Sequence, residues 1–224
     1  MQYITAYVLP LLLILISGNT FINYIEKINF GQQVRDYGPE SHLKKAGIPT
    51  MGGLVIISVF LLVSVFILPL SVEFIAILLT TFIMALTGFL DDFLKIKLER
   101  SLGLRAWQKI IMQTAAAAVT ALTAVLLVNQ HNIIVPFFTS YELGAVLKFI
   151  LAFIVVIGSS NAVNLTDGLD GLAAGVTTIV CLAFAVLFYL INLPEYSLLM
   201  LIMAGSTTAF LWFNANPATV FMGD

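Results

Sequence analysis

Long runs of apolar residues, separated by short polar segments, dominate the pattern of this chain. Each run is close to the roughly 20 residues that an α-helix needs to cross a hydrocarbon core of about 30 Å. The pattern therefore predicts an all-α fold, a polytopic membrane helical bundle with about seven transmembrane helices in a single integral membrane domain over residues 1–224. The predicted spans are Tyr3–Asn23, Met51–Leu70, Val72–Leu90, Ile110–Val128, Leu143–Val163, Leu172–Ile191 and Ser197–Phe213.

Composition supports a membrane protein and excludes several other classes. Hydrophobic residues make up 60% of the chain and charged residues only 10%, which are too few charges to keep so apolar a fold soluble in water. The formal net charge of −2 provides no basic surface for a phosphate backbone, so we expect no nucleic-acid partner. The single cysteine, Cys181, lies in an apolar run, where packing is its expected role.

The basic residues predict how the chain is oriented in the membrane. Of the ten Lys and Arg residues, only Lys148 falls outside the two segments that connect spans 1 to 2 and spans 3 to 4. Because Lys and Arg concentrate in cytoplasmic loops, these two segments are predicted to be cytoplasmic. The N-terminus is then expected outside, and the C-terminal segment Asn214–Asp224 in the cytoplasm.

A pair of acidic residues, Asp91 and Asp92, directly follows the third apolar run, where the third span is predicted to end. Two adjacent carboxylates at the negative end of a helix dipole require compensation. A divalent cation or nearby lysines would compensate them in a functional site. The alternative is an exposed pair that is screened by water and by Lys95 or Lys97.

The segment between spans 5 and 6 is polar and rich in glycine. Asp167 and Asp170 are three residues apart and share a face if this turn is helical, and Asn164 adds a neutral donor and acceptor beside them. This composition suits a ligand with hydroxyl, imide or phosphate groups. The alternative is a capped turn, in which Asp167 or Asp170 starts the sixth helix, and capping is compatible with binding.

Two further segments contain candidate ligand groups. Gly223-Asp224 follows an apolar run and can present a carboxylate to a metal, while Lys44 and Lys45 near Pro49 can hold a phosphate or simply mark membrane orientation. The sequence contains no nucleophile elbow, P-loop or dinucleotide-binding glycine pattern. Carboxylate chemistry with a hard cation such as Mg²⁺ is what remains.

Taken together, four segments resemble the polyprenyl-phosphate N-acetylhexosamine-1-phosphate transferase superfamily. Three of them match the superfamily, and the fourth, which runs from Arg35 to Gly53, narrows the resemblance to the phospho-N-acetylmuramoyl-pentapeptide transferase family, MraY. The resemblance covers essentially the whole chain. The three superfamily segments are Gly88–Asp92, Asn161–Ala173 and Phe213–Asp224.

The resemblance implies a Mg²⁺-dependent transfer of phospho-MurNAc-pentapeptide from UDP-MurNAc-pentapeptide to undecaprenyl phosphate, which forms lipid I and UMP. By motif match, Asp224 is the expected Mg²⁺ ligand, and Asp91 and Asp92 are expected to activate or position the lipid phosphate. The expected location is the bacterial cytoplasmic membrane with the active site facing the cytoplasm, and a homodimer is compatible with it. Expected around the substrate are Asn164, Asp167 and Asn214 at the nucleotide or its diphosphate, Asp170 in support, and Lys45, Thr50 and Lys109 along the same cleft.

One departure from the family concerns length. Family members resemble a ten-span protein with a histidine-rich motif in a later cytoplasmic loop, which this chain does not contain. We therefore expect the chain to be the N-terminal portion of a longer transferase, and to fold poorly or be inactive alone.

Three rival functions stay open at this point. A sister enzyme that transfers GlcNAc-1-phosphate to the same lipid is disfavoured by the segment from Ser41 to Gly53. A transporter that uses membrane-level aspartates is disfavoured because the aspartates are predicted at the ends of spans. The third alternative is a truncated relative that binds nucleotide without catalysis.

Overall fold

The structure, a computed structural model, describes residues 1–27, 48–98, 100, 102–127, 132–134 and 140–224. Within these ranges the chain forms seven α-helices and one antiparallel pair of short strands. The all-α fold class is confirmed. The elements are α1 (Gln2–Lys27), α2 (Gly53–Ile67), α3 (Val72–Lys97), α4 (Ala106–Leu126), β1 (Asn132–Ile134), β2 (Ser140–Glu142), α5 (Ala145–Thr166), α6 (Leu172–Leu190) and α7 (Pro194–Asn214).

Six of the seven helices are long and apolar enough to cross a membrane, and α2 is the shorter one. Its 15 residues extend about 22 Å at a rise of about 1.5 Å per residue. The predicted span Met51–Leu70 is longer because apolar residues continue past both ends of the helix. Met51 has a φ of 74°, which prevents an earlier start, and Leu68 is extended and ends the helix before Pro69.

Helix α3 extends seven residues beyond the predicted end of its span at Leu90. Ser71 caps its first turn, and Lys95 and Lys97 lie in its last turn, where positive charge stabilises the negative end of a helix. Asp91 and Asp92 therefore lie within the helix, more than one turn before its end. The two carboxylates are consequently too far from the helix terminus for its partial negative charge to be their main electrostatic interaction.

The core of the bundle forms around α7, which packs against α1, α2 and α6. Ile202 and Phe210 of α7 are fully buried, together with Ile14 of α1 and Val63 of α2. A second row, in which α4 packs against both α3 and α5, joins this core where α3 contacts α2 and where α5 contacts α6. Cys181 is a buried, unpaired cysteine, as expected for a packing residue.

Candidate active site

Three carboxylates from distant parts of the sequence meet at one end of the bundle. Asp91 and Asp92 lie near the end of α3, and Asp224 follows α7. One oxygen from each residue lies within 4.8 Å of the corresponding oxygens of the other two. Asp91 and Asp92 are 4% and 6% exposed, so the alternative is wrong in making them an exposed pair, although the contact with Lys95 that it included is present.

Backbone pairing with the residues before α2 holds the segment that carries Asp224. The N–H groups of Gly52 and Gly53 donate to the carbonyls of Phe221 (2.9 Å) and Met222 (2.8 Å), and the Phe221 N–H donates to the Pro49 carbonyl (2.8 Å). These bonds satisfy polar backbone groups that would be costly to bury unpaired. They join two parts of the chain that sequence patterns do not connect.

Two glycines permit the close approach of these segments. Gly223 has a φ of 79°, and a Cβ at this position would overlap Oδ2 of Asp92. A Cβ on Gly88 of α3 would overlap the backbone carbonyl of Asp224. Both positions therefore require the absence of a side chain.

Two lysines compensate the negative charge of the three carboxylates. The Lys95 Nζ lies 2.6 Å from Oδ2 of Asp91, 3.2 Å from Oδ1 of Asp92 and 3.1 Å from Oδ2 of Asp224. Lys109 of α4 donates to Oδ2 of Asp224 across 2.9 Å. Lys95 follows Asp91 by four residues, one helical turn, which brings its ammonium back to the carboxylates.

Backbone N–H groups also bind two of the carboxylates. Oδ1 of Asp91 accepts from the Leu104 N–H at 2.8 Å, and Oδ2 of Asp92 accepts from the Asp224 N–H at 2.9 Å. Hydrogen bonds of this type are strengthened by the charge of the acceptor. The side chains of Asp91 and Asp92 are therefore held in fixed orientations.

The environment of Asp224 favours its ionised form. Burial raises the pKa of this carboxyl, but the charge of Lys95 and the charge and hydrogen bond of Lys109 lower it more strongly. The net result is a pKa well below the usual range for aspartate. Asp224 is consequently an anion at neutral pH.

A cavity of about 510 Å³ opens next to the carboxylates, and Asn164 and Asp167 line it together with Asp92 and Asp224. The predicted nucleotide-contacting residues Asn164 and Asp167 thus share one cavity with two of the predicted catalytic residues. Away from these polar groups the lining is largely apolar. Its apolar members include Ile56, Met84, Phe89, Val156, Val163 and Met203.

Asp170 and Asn214 form hydrogen bonds with the segment that follows α7. Oδ2 of Asp170 accepts from Nδ2 of Asn216 (3.1 Å) and from the Ala218 N–H (3.3 Å). Asn214 is 1% exposed, and its carboxamide donates to the Val220 carbonyl and accepts from the Gly171 N–H. The contact of Asn214 with a nucleotide stays a prediction.

The alternative interpretation, in which Asp167 or Asp170 caps the sixth helix, is wrong. The N-cap of α6 is Gly171, which has a φ of 75° and makes no side-chain capping bond. The Asp170 carboxylate instead binds the segment after α7.

Of the two predicted site residues in the segment before α2, the structure describes Thr50. Thr50 is 8% exposed, and its Oγ1 lies beside Gly223 in the paired segment. Lys45 lies outside the described residues, as do Lys44 and most of the segment from Arg35 to Gly53. The roles of Lys45 and Thr50 at the substrate stay predictions.

The three carboxylates suit a hard divalent cation such as Mg²⁺. Their ligand oxygens lie within 4.8 Å of one another, and opposite ligands of an octahedral Mg²⁺ are about 4.2 Å apart, so small side-chain adjustments would suffice. The Lys95 ammonium contacts all three carboxylates and shows that this position stabilises a cation. Asp91, Asp92 and Asp224 are the residues that could hold the metal.

Sequence comparison identifies the relatives of this chain. The family described as glycosyl transferase family 4 matches residues 74–224, and phospho-N-acetylmuramoyl-pentapeptide-transferase signature 1 matches residues 45–57. A phospho-N-acetylmuramoyl-pentapeptide-transferase of Caldanaerobacter subterraneus is 43% identical over 224 residues, which cover 100% of this chain and 70% of the relative. The chain belongs to the phospho-N-acetylmuramoyl-pentapeptide transferase family.

Other members of the phospho-N-acetylmuramoyl-pentapeptide transferase family agree with this assignment. The protein from Thermoanaerobacter sp. is 43% identical over 227 residues, with 100% of this chain and 70% of the relative covered. The protein from Clostridioides difficile is 40% identical over 215 residues, with 95% of this chain and 67% of the relative covered. The resemblance predicted from the motifs is confirmed, and the six long apolar helices agree with a multi-pass membrane protein.

Within the phospho-N-acetylmuramoyl-pentapeptide transferase fold, sequence reasoning missed several features of the site. Lys95 contacts all three carboxylates, which goes beyond the screening charge expected of it, although its four-residue spacing from Asp91 places both on one helix face. The pairing of Pro49 and Gly52 with Phe221 had no sequence signal, because it joins short segments without periodicity. The signature over residues 45–57 includes one side of this pairing.

Proposed function

We propose that this chain catalyses the reaction of its family, the transfer of phospho-MurNAc-pentapeptide from its UDP carrier to a membrane lipid phosphate. The acceptor is undecaprenyl phosphate and the products are lipid I and UMP. A phosphate oxygen of the lipid forms a bond to the sugar-linked phosphorus, and the bond from this phosphorus to the UMP oxygen breaks. The observation that carries the proposal is the meeting of three carboxylates and two lysines beside an apolar cavity.

The resident cofactor in this proposal is Mg²⁺, held by Asp224 and by Asp91 or Asp92. When bound, Mg²⁺ would neutralise the diphosphate and stabilise the charge of the leaving UMP. This fits the low pKa of Asp224, which keeps a carboxylate available as a hard ligand. It also fits the contact of one cation, the Lys95 ammonium, with all three carboxylates.

The chain's own residues supply positioning and charge. Lys95 and Lys109 place two ammonium groups beside Asp224, where they can bind phosphate oxygens as those oxygens replace the carboxylate contacts. Asp91 and Asp92 orient the lipid phosphate. Holding two reactants in line accounts for much of the rate enhancement in phosphoryl transfer.

The apolar cavity supports a lipid acceptor. Met84 and Phe89 of α3 and Val156 of α5 line it, and Asp92 and Asp224 lie along the same cavity. An acceptor with a phosphate head and a long apolar tail would place the head at the carboxylates and the first part of the tail along these side chains. The burial of apolar surface favours such binding by roughly 25 cal/mol per Å².

Orientation and assembly are also part of the proposal. The active site faces the cytoplasm in this proposal, because Lys95, Lys97, Arg105 and Lys109 lie at the helix ends around it and Lys and Arg concentrate in cytoplasmic segments. A homodimer stays a prediction from the resemblance. Labelling single cysteines at Gln2 and Lys97 in intact cells with an impermeant thiol reagent would test the orientation, with labelling at Gln2 alone expected.

The test of the proposed function is turnover in a chain of family length. Because this chain covers 70% of the Caldanaerobacter relative, it is joined to the part of that relative beyond the match, and we refer to the product as the extended chain. The extended chain in detergent is given UDP-MurNAc-pentapeptide and undecaprenyl phosphate, and UMP and the lipid product are quantified with and without Mg²⁺.

The expected result is Mg²⁺-dependent release of UMP in a one-to-one ratio with lipid product. UDP-GlcNAc serves as the competing donor, and its faster use would favour the sister transferase. Nucleotide binding without any lipid-linked product would contradict the proposal and favour a non-catalytic relative. The unextended chain in parallel tests whether residues 1–224 alone are inactive, as expected.

A further inference from the structure

Two carboxamides join helices α4 and α5 inside the bundle. Nε2 of Gln113 donates to Oδ1 of Asn161 at 3.3 Å, and Nδ2 of Asn161 donates to Oε1 of Gln113 at 3.0 Å. Asn161 also donates to the Ile157 carbonyl of its own helix at 2.8 Å. Gln113 is 3% exposed, so loss of its partner would leave a buried amide unsatisfied.

The pair lies close to the candidate active site on both helices. On α4, Gln113 follows Lys109 by one helical turn, and Lys109 binds Asp224. On α5, Asn161 precedes Asn164 by three residues, close to one helical turn, so the two share a face. Asn164 lines the cavity beside Asp224. The carboxamide pair therefore connects α4, which carries Lys109, to α5, which carries Asn164.

Packing alone defines the register of α5 weakly. None of its 22 residues, all of which the structure describes, is buried. Between helices in lipid, apolar surfaces gain little from contact with each other, and polar pairs contribute specificity. Because successive residues of a helix are rotated by about 100°, a shift of α5 by one residue would turn Asn164 away from the cavity.

We propose that Gln113 and Asn161 are positioning residues that set the register of α5 against α4, and thereby hold Asn164 and Asp167 at the nucleotide-sugar. This inference rests on the proposed function for the identity of the ligand. The pair itself does not contact the substrate; it acts through the end of α5. Its loss should weaken nucleotide binding more than it slows the chemical step or weakens lipid binding.

The variants are made in the extended chain. Gln113→Leu removes the pair, and the exchange Gln113→Asn with Asn161→Gln restores two complementary carboxamides. The matched control is Tyr7→Phe, which removes another interhelical hydrogen bond, from Tyr7 to Thr208 at 3.1 Å, between α1 and α7. The primary measurement is the Kd for UDP-MurNAc-pentapeptide by titration calorimetry, followed by KM for each substrate and kcat.

For Gln113→Leu we expect the Kd and KM for the nucleotide-sugar to rise about tenfold, which corresponds to a loss of about 1.4 kcal/mol in binding free energy. The KM for undecaprenyl phosphate should stay within about twofold of the parent, and the exchange variant should recover most of the nucleotide affinity. Tyr7→Phe should leave both KM values near those of the parent. A melting temperature measured for each variant separates a loss of fold from a loss of register.

Several results would overturn the inference. They are an unchanged nucleotide Kd in Gln113→Leu, an equal rise in Tyr7→Phe, or equal rises in the KM of both substrates. If Gln113→Leu does not fold, the exchange variant decides: parent-like affinity supports the pair, and a tenfold loss in a folded exchange variant refutes it. A parent chain that binds nucleotide without turnover refutes the proposed function but leaves this comparison intact, and a parent that binds no nucleotide refutes both.

Discussion

The backbone N–H of Asp224 donates to Oδ2 of Asp92 across 2.9 Å, although 132 residues separate them in the chain. This bond connects the end of α3 to the segment after α7, and Lys95 contacts both carboxylates. A change at either aspartate therefore alters the position of the other. A substitution at either aspartate is consequently expected to change both activity and stability, so both are measured for each variant.

Asp92→Asn and Asp224→Asn test the carboxylates. Each substitution keeps the shape of the side chain and removes a negative charge, so Mg²⁺-dependent UMP release by the extended chain should fall by about a hundredfold or more. The control is Glu142→Gln at the exposed end of β2, which should retain parent activity. Turnover within about threefold of the parent in Asp224→Asn would exclude it as a required metal ligand.

Gly223→Ala tests the close approach of the two segments. The added Cβ would overlap the Asp92 carboxylate in a backbone conformation that alanine rarely adopts, so we expect a destabilisation of about 1–3 kcal/mol and a strong loss of activity. Gly158→Ala in α5 is the matched control, because a Cβ there meets nothing within 4 Å. A thermal unfolding scan and an activity assay check both, and equal effects of the two substitutions would contradict the prediction.

Lys95→Met tests whether the Lys95 ammonium stabilises the three carboxylates by neutralising their charge. Without it the three carboxylates repel each other, so the melting temperature in the absence of divalent cations should fall. Added Mg²⁺ should recover more stability in this variant than in the parent, because a bound cation replaces the lost charge. Lys97→Met is the control on the same helix, where the ammonium lies over the Phe93 ring. An identical Mg²⁺ response in both variants would count against this role.

Acid should destabilise the chain through Asp224. The pKa of Asp224 is lower in the folded state than in the unfolded state. At pH values between these two pKa values, the folded state therefore binds fewer protons than the unfolded state. The stabilisation is complete above the unfolded pKa of about 3.9 and is lost as the pH falls towards the folded pKa. Melting temperatures measured from pH 6 to pH 3 should fall more steeply below about pH 4 in the parent than in Asp224→Asn. Parallel curves would show that Asp224 has no such shift.

The structure also shows which parts of the site can be derived from neighbouring residues. The helical spacing of Asp91 and Lys95 places their charges on one face, and this relationship requires only the periodicity of a helix. Helix α3 continues to Lys97, beyond the end that its apolar run predicted at Leu90, and the ion pair of Asp91 with Lys95 lies within this extension.

The sequence by itself determined the seven helices, though not the ends of α2 and α3, because spans of apolar residues need a membrane. It also determined the family, because contiguous motifs carry the resemblance. Only the tertiary structure decided that Pro49 and Gly52 pair with Phe221, that Asp170 binds the segment after α7, and that the carboxamides of Gln113 and Asn161 meet. Contacts of this kind depend on how rigid helices pack and on single backbone conformations such as that of Gly223. They leave no periodic trace in the chain, because each is made by one or two residues whose partners are distant in sequence.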